Sequence, residues 1–168
     1  MRHINILATL LLLILVGVSL AEGAERTIIP TERESLRGVK GIYIILDLKP
    51  EVEQVFKMAP LQDMIELQLR RAGITVLTRE ESFNQSGKSF LYINVNSISN
   101  VSPQPDCYPI SISMDFCQVV ILERNRKIKT VGSTWSRGVV ASHTDLVRPH
   151  LYGLVGEFIE DYKYVNPK

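Results

Sequence analysis

The hydrophobic pattern changes period several times along the chain, and each change marks an element. From Gly41 to Leu48 the residues are β-branched and aromatic, with Ile42, Ile44, Leu46 and Leu48 on one face. That is a strand, and its near-continuous apolarity predicts a central one. Pro50 ends it. A short amphipathic turn with Val52, Val55 and Phe56 leads to Pro60, which suits the first position of a helix. Leu61, Met64, Ile65, Leu69 and Ala72 then recur at helical spacing and form one buried stripe. Arg70 and Arg71 offset the helix dipole in the last turn, and Gly73 suits the residue just past the helix. Ile74 to Thr78 follows as a second strand, so this β–α–β unit is expected to be parallel and right-handed.

The rest is mostly strand. Phe90 to Ser97 alternates, with Leu91, Ile93 and Val95 inward and Tyr92, Asn94 and Asn96 outward. Ser99 to Pro109 holds three prolines and reads as a loop. Ile110, Ile112, Met114 and Phe116 alternate with Ser111, Ser113 and Asp115, and the run continues to Leu122. Arg124 to Lys127 reads as a hairpin tip, with a return strand from Ile128 to about Val140. Pro149 opens a last helix whose apolar set is Leu151, Leu154, Val155, Phe158, Ile159 and Tyr162. Gly153 and Gly156 weaken that helix by up to about 1 kcal/mol each relative to alanine, so packing must hold it. The predicted order is β-α-β-β-β-β-α. One stripe per helix and one polar face per strand predict a two-layer α/β sandwich, with a five-stranded mixed sheet and two helices on one face.

The N-terminus has a different pattern. Met1-Arg2-His3 is a short cationic start, Ile6 to Val16 carries no charge, and Ser19-Leu20-Ala21 supplies small residues at a cleavage position. These are the three parts of a secretory signal, with a cut expected after Ala21 and no membrane span retained. No cysteine lies near the cut, so a lipid-anchored form is not expected. Residues 22–37 show no apolar period and read as a flexible lead-in. The expected organisation is a signal at 1–21, a lead-in at 22–37 and one domain over 38–168, in a periplasmic or secreted protein.

Composition narrows the function classes. With 168 residues, 45% of them hydrophobic, the chain fits one folded domain and excludes a largely disordered one. Its formal charge of +1 argues against nucleic-acid binding, and loss of Arg2 with the signal leaves the remainder neutral. Cys107 and Cys117 are the only cysteines. Cys117 lies well inside a strand expected to begin near Tyr108. Extension at about 3.3 Å per residue then carries it beyond the Cα spacing of about 4.4–6.8 Å that a bridge requires. No intrachain disulfide is expected, and with no CxxC or paired histidines, neither is a metal site.

Leu91-Tyr-Ile-Asn-Val-Asn96, Thr134-Trp-Ser136 with Gly138, Phe158-Ile-Glu-Asp-Tyr162 and Asn166-Pro167 together resemble a family of small exported bacterial proteins of unknown function. The resemblance runs from about Glu34 to the C-terminus and rests on motifs structural in kind. The predicted topology also looks like small α/β envelope modules of lipopolysaccharide-assembly and transport-auxiliary lipoproteins. This chain lacks their lipid-attachment cysteine, and fold alone does not imply function.

Candidate chemistry is thin. Trp135-Ser136-Arg137-Gly138 is half of a G-x-S-x-G elbow, but Thr134 replaces the first glycine and Ser136 is expected within a strand. His143, Asp145 and His150 lack a metal-site spacing and read better as loop and cap residues. Glu80 and Glu81 are adjacent, so they diverge rather than share a proton. Arg124, Arg126, Lys127 and Lys129 make a basic tip able to touch anionic lipid, although such tips are ordinarily just solvated. No phosphate-cradling glycine loop is present. The remaining candidate is the outer sheet face, where Tyr43, Ile45, Tyr92, Asn94, Asn96, Trp135 and Arg137 mix rings, amides and a cation as recognition patches do. The opposite reading buries Trp135 in the core, and the pairing register decides between them.

The expectation is therefore an exported non-enzymatic accessory module of the cell envelope, without a cofactor, docking an envelope protein or lipid through its sheet face or edge. Binding of a small molecule or lipid in a cavity between sheet and helices is the alternative. A hydrolase centred on Ser136 or His143 comes third.

Overall fold

The computed structural model of the chain describes residues 32–53, 56–97 and 109–167. The expected signal and its cut, most of the lead-in, Val55, the loop before Pro109 and Cys107 lie outside them. Four strands among the described residues form one sheet in the order β1-β2-β3-β4: Tyr43–Leu48, Phe90–Ser97, Ile110–Leu122 and Asn125–Ala141. β1 pairs parallel with β2, and the other neighbours are antiparallel. The helices are α1 (Pro50–Glu53), α2 (Met58–Arg71), α3 (Arg79–Asn84) and α4 (Val147–Val165). α2 and α4 cover one face of the sheet.

The strands form where period two was read. Ile44, Leu46 and Leu48 of β1, Leu91, Ile93 and Val95 of β2, and Ile110, Ile112, Met114 and Phe116 of β3 are all buried. Leu61, Ile65 and Leu69 of α2 meet them, as do Leu151, Leu154, Val155, Phe158 and Ile159 of α4. Phe158 anchors the second layer. Its ring stands edge-on to Trp135 at 5.0 Å and tilts against Phe116 at 5.9 Å. Gly73 takes φ +83 directly after α2 and reverses the chain, as the sequence predicts.

Three expectations are corrected. The predicted strand at Ile74–Thr78 makes only an isolated parallel bridge, Ile42 to Val76, so the sheet has four strands rather than five. A helix start intervenes there. Thr78 accepts a hydrogen bond from the Glu81 amide and the Glu81 carboxylate accepts one from the Thr78 amide, the capping box that launches α3. Beyond that bridge β1 is an edge strand, not a central one; its apolarity reflects cover by helices on one face and half-burial on the other. Finally, the lead-in does not extend to residue 37. Glu32–Leu36 is a 3-10 turn whose Leu36 is fully buried against the core.

Candidate functional site

The outer face of the sheet follows from register. Cross-strand rows run Tyr43–Phe90–Cys117–Ser133, then Ile45–Tyr92–Asp115–Ser136, then Asp47–Asn94–Ser113–Gly138, and last Asn96–Ser111–Val140. Chemistry changes along these rows. The first is largely apolar and the later ones are polar.

At the polar end the side chains bond one another. The Tyr92 hydroxyl donates to the Asp47 carboxylate at 2.6 Å, and the Asn94 amide donates to the same oxygen at 3.1 Å. Asn96 donates in turn to the Asn94 carbonyl. The Ser133 hydroxyl donates to Asp115 at 3.0 Å. The Asp47 carboxylate raises the Tyr92 pKa above its ordinary value, chiefly through that hydrogen bond, with burial and the Asp115 charge adding to it and Asn94 opposing. Among the described residues the ladder ends on Asn96 Oδ1, a buried acceptor without a partner. Cys117, half-buried on β3, has its thiol pKa raised by burial first and by Asp115 second.

At the apolar end there is a groove of about 410 Å³. Tyr43, Ile45, Phe90, Val119 and Val131 line it from the sheet, and Phe83 of α3 closes one side. Phe83 and Val131 are each more than half exposed. Arg79 and Lys88 stand at the rim, each 5.9 Å from the Phe83 ring centre. Lys88 is placed there by a tight reversal in which Gly87 has φ +85 and Lys88 itself φ +45, held by the Val119 amide donating to the Gly87 carbonyl. Larger clefts of about 450 and 590 Å³ lie elsewhere, but mostly polar, charged and glycine residues line them.

The structure divides the residues assigned to this face from sequence. Tyr43, Tyr92, Asn94 and Asn96 are on it. Trp135 and Arg137 are not. Pairing of β3 and β4 shifts between Phe116 and Cys117, so that Thr134 is an extra residue on β4. Such a bulge reverses which parity faces the core. Trp135 therefore sits fully buried beneath α4, and Arg137 follows it on the helix side.

There they meet the other motifs. Asp161 of α4 is nearly buried; one carboxylate oxygen accepts from the Trp135 indole at 2.9 Å and from Arg137 at 3.2 Å, while the other pairs with Arg33 at 2.6 Å. Arg137 also reaches Glu32 at 2.7 Å and lies over the Trp135 ring. Arg33 stacks on Tyr164. Nearby, the Asn166 amide group accepts from the Gly38 amide and donates to the Leu36 and Tyr162 carbonyls, and the Tyr162 hydroxyl donates to the Val39 carbonyl. Ser35 bonds the Thr134 carbonyl. Thr134, Trp135, Asp161, Tyr162 and Asn166 thus fasten the segment Glu32–Val39 onto the domain. The Thr134–Ser136, Phe158–Tyr162 and Asn166 motifs serve this clamp, whereas Leu91 to Asn96 belongs to β2.

The other candidates stay apart. Ser136 is exposed in the middle of β4, five residues before the strand's end at Ala141. About 17 Å of extended chain separates it from the turn that holds His143 and Asp145. His150 lies in the first turn of α4. Among the described residues no three histidine, cysteine or carboxylate side chains are grouped to hold a metal, and no helix is long and apolar enough to cross a membrane. Sequence reasoning missed Phe83, Phe90, Val119 and Val131. Phe90 shares the parity of Tyr92, and Val119 that of Asp115, so both could have been read; Val131 could be placed only with the bulge known.

No protein-family model matches the chain, and no curated protein matches it in sequence. Among solved structures it is weakly similar to a minor lipoprotein from Acinetobacter baumannii, at 10% identity and a TM-score of 0.33, over 76% of this chain and 94% of that one.

Proposed function

We propose that this chain is an exported, non-enzymatic accessory module of the cell envelope that recognises a partner protein on the outer face of its sheet. The apolar groove beside α3 carries this reading. It leaves Phe83 and Val131 more than half exposed on an ordered framework of strands, where contact with water gives them no stabilisation. The bonded ladder of Asp47, Tyr92 and Asn94 then serves as a polar border, because its groups are already paired and need no partner to satisfy them. The export signal read at the N-terminus supports the location.

The test is photo-crosslinking in cells from single probe positions. Probes at Ile45, Phe83 and Val131 should give one common adduct, and probes at the exposed Leu67 and Tyr152 of the helical layer should not. Equal labelling from both sets removes the groove as the recognition surface.

A second reading has its own observation. A groove of about 410 Å³ walled by rings and aliphatics, with Arg79 and Lys88 at the rim, fits a single-chain anionic amphiphile. The space lies outside the sheet rather than between sheet and helices, where the side chains are closely packed. Native mass spectrometry of the chain purified without detergent separates the readings: a stoichiometric adduct lost in Val131→Asp favours the amphiphile.

A further inference from the structure

Among the described residues, the β3–β4 hairpin has no third strand beyond Val119. β2 begins opposite Cys117, and the last backbone bond from elsewhere in the chain reaches the Val119 amide. Among the described residues Val120 to Leu122 pair only with β4, so the ribbon runs on for about 10 Å past its support there. A free two-stranded ribbon gains little from its own pairing, yet this one carries exposed aliphatic side chains beside a run of cations. Ile121 is 57% exposed and Ile128 42%. Around them stand Arg124, Arg126, Lys127 and Lys129 against a single carboxylate, Glu123. None of these four cations is in an ion pair among the described residues, although Arg33, Arg37, Arg70 and Arg137 all are.

We propose that this arm docks the protein onto an anionic phospholipid bilayer. Two features select that occupant. Cations concentrated at the tip of a chain whose total charge is close to zero act only within a Debye length of about 8 Å, so they serve a surface already in reach rather than long-range steering. The exposed isoleucines beside them gain nothing from a soluble polyanion. A bilayer interface offers both parts: headgroup phosphates for the cations and the acyl boundary for Ile121 and Ile128. The aliphatic stems of the lysines and arginines let their heads remain at the phosphates while the tip of the ribbon, with an isoleucine on either face, enters the interface. The site is the free tip of the arm, whereas the groove begins at its root, so the proposal stands whether or not the groove has an occupant.

The experiment is vesicle co-sedimentation of the chain as purified after export, with wild type and variants in the same processed form. Vesicles of phosphatidylcholine mixed with phosphatidylglycerol should retain it, and pure phosphatidylcholine should not. The variant R124Q/R126Q/K127Q/K129Q should lower partitioning by about a thousandfold, and I121S/I128S by about tenfold. Added salt should release the wild type. Emission of Trp135, buried far from the tip, reports that each variant is folded, and the salt titration needs no variant at all. The proposal is overturned by equal retention on neutral vesicles, by no retention on either, or by a folded quadruple variant that partitions like wild type. Displacement by soluble glycerophosphoglycerol would also sink it, because free phosphate would then be the ligand rather than the bilayer. Crosslinks from groove probes persisting beside a failed vesicle assay would leave the groove reading intact.

Discussion

On the inner face of the sheet Leu91, Ile93, Val95, Ile112, Met114, Phe116 and Trp135 are sealed beneath α2 and α4, each of them 0% exposed. The residues alternating with them on the outer face are half-buried on β2 and β3 and exposed on β4, and they divide into a bonded polar ladder and an open apolar groove. Both faces come from the same strands. The inner one holds the motifs that stand out in the sequence, Trp135 and the Phe158–Tyr162 run, and uses them to fasten Glu32–Val39. The outer one takes only Tyr92, Asn94 and Asn96 from the Leu91 to Asn96 run, and its groove is lined by residues of no motif. Distinctive sequence here marks a demanding internal fit, because a buried carboxylate needs its donors at fixed positions.

The sharpest test of that division is Asp161→Ala. Removing the shared acceptor strands the indole N–H in the core and leaves Arg33 and Arg137 facing each other. Stability should fall by about 3 kcal/mol, read as a lower urea midpoint. A loss below about 1 kcal/mol would return the motifs to the list of functional candidates. Trp135→Phe keeps a ring against Phe158 but drops the indole bond and some packing, for a loss of about 1–2 kcal/mol.

On the outer face the effects should be smaller. Tyr92→Phe removes the bond to Asp47 and should cost about 1 kcal/mol at neutral pH. It should also change the alkaline limb. A raised tyrosine pKa means the unfolded chain loses its proton first, so the stabilisation is complete below the ordinary value of 10.0 and is lost as pH climbs through the folded value. The variant should flatten that decline above pH 10.0 in alkaline unfolding followed by circular dichroism. It should not abolish it, since burial raises Tyr162 as well. Phe83→Ser is the smallest change: stability should stay within about 0.5 kcal/mol while groove crosslinks disappear. A large loss of stability there would make the groove a packing site instead.

Much of the fold can be read from alternation and helical spacing alone. The inward sets of β1, β2 and β3 and the stripes of α2 and α4 are where those periods place them. Less can be read wherever one residue shifts a register or a polar group competes with pairing. Thr78 and Glu81 are three apart and could have been recognised as a cap, but Ile74 to Leu77 looks like a strand to any local reading. The outer-face candidates were half legible: β2 supplies Tyr92, Asn94 and Asn96 by parity, whereas β4 misled.

The sequence by itself determined which positions are apolar and with what period, and hence the sides that β1, β2, β3, α2 and α4 bury. It also determined that Arg124, Arg126, Lys127 and Lys129 fall together at one hairpin. Tertiary structure alone decided that Trp135 and Arg137 face the helices, because the extra residue at Thr134 reverses parity in a way composition does not reveal. It likewise decided that Phe83, Phe90, Val119 and Val131 share a groove, since contacts between distant segments depend on pairing and not on any one segment's pattern.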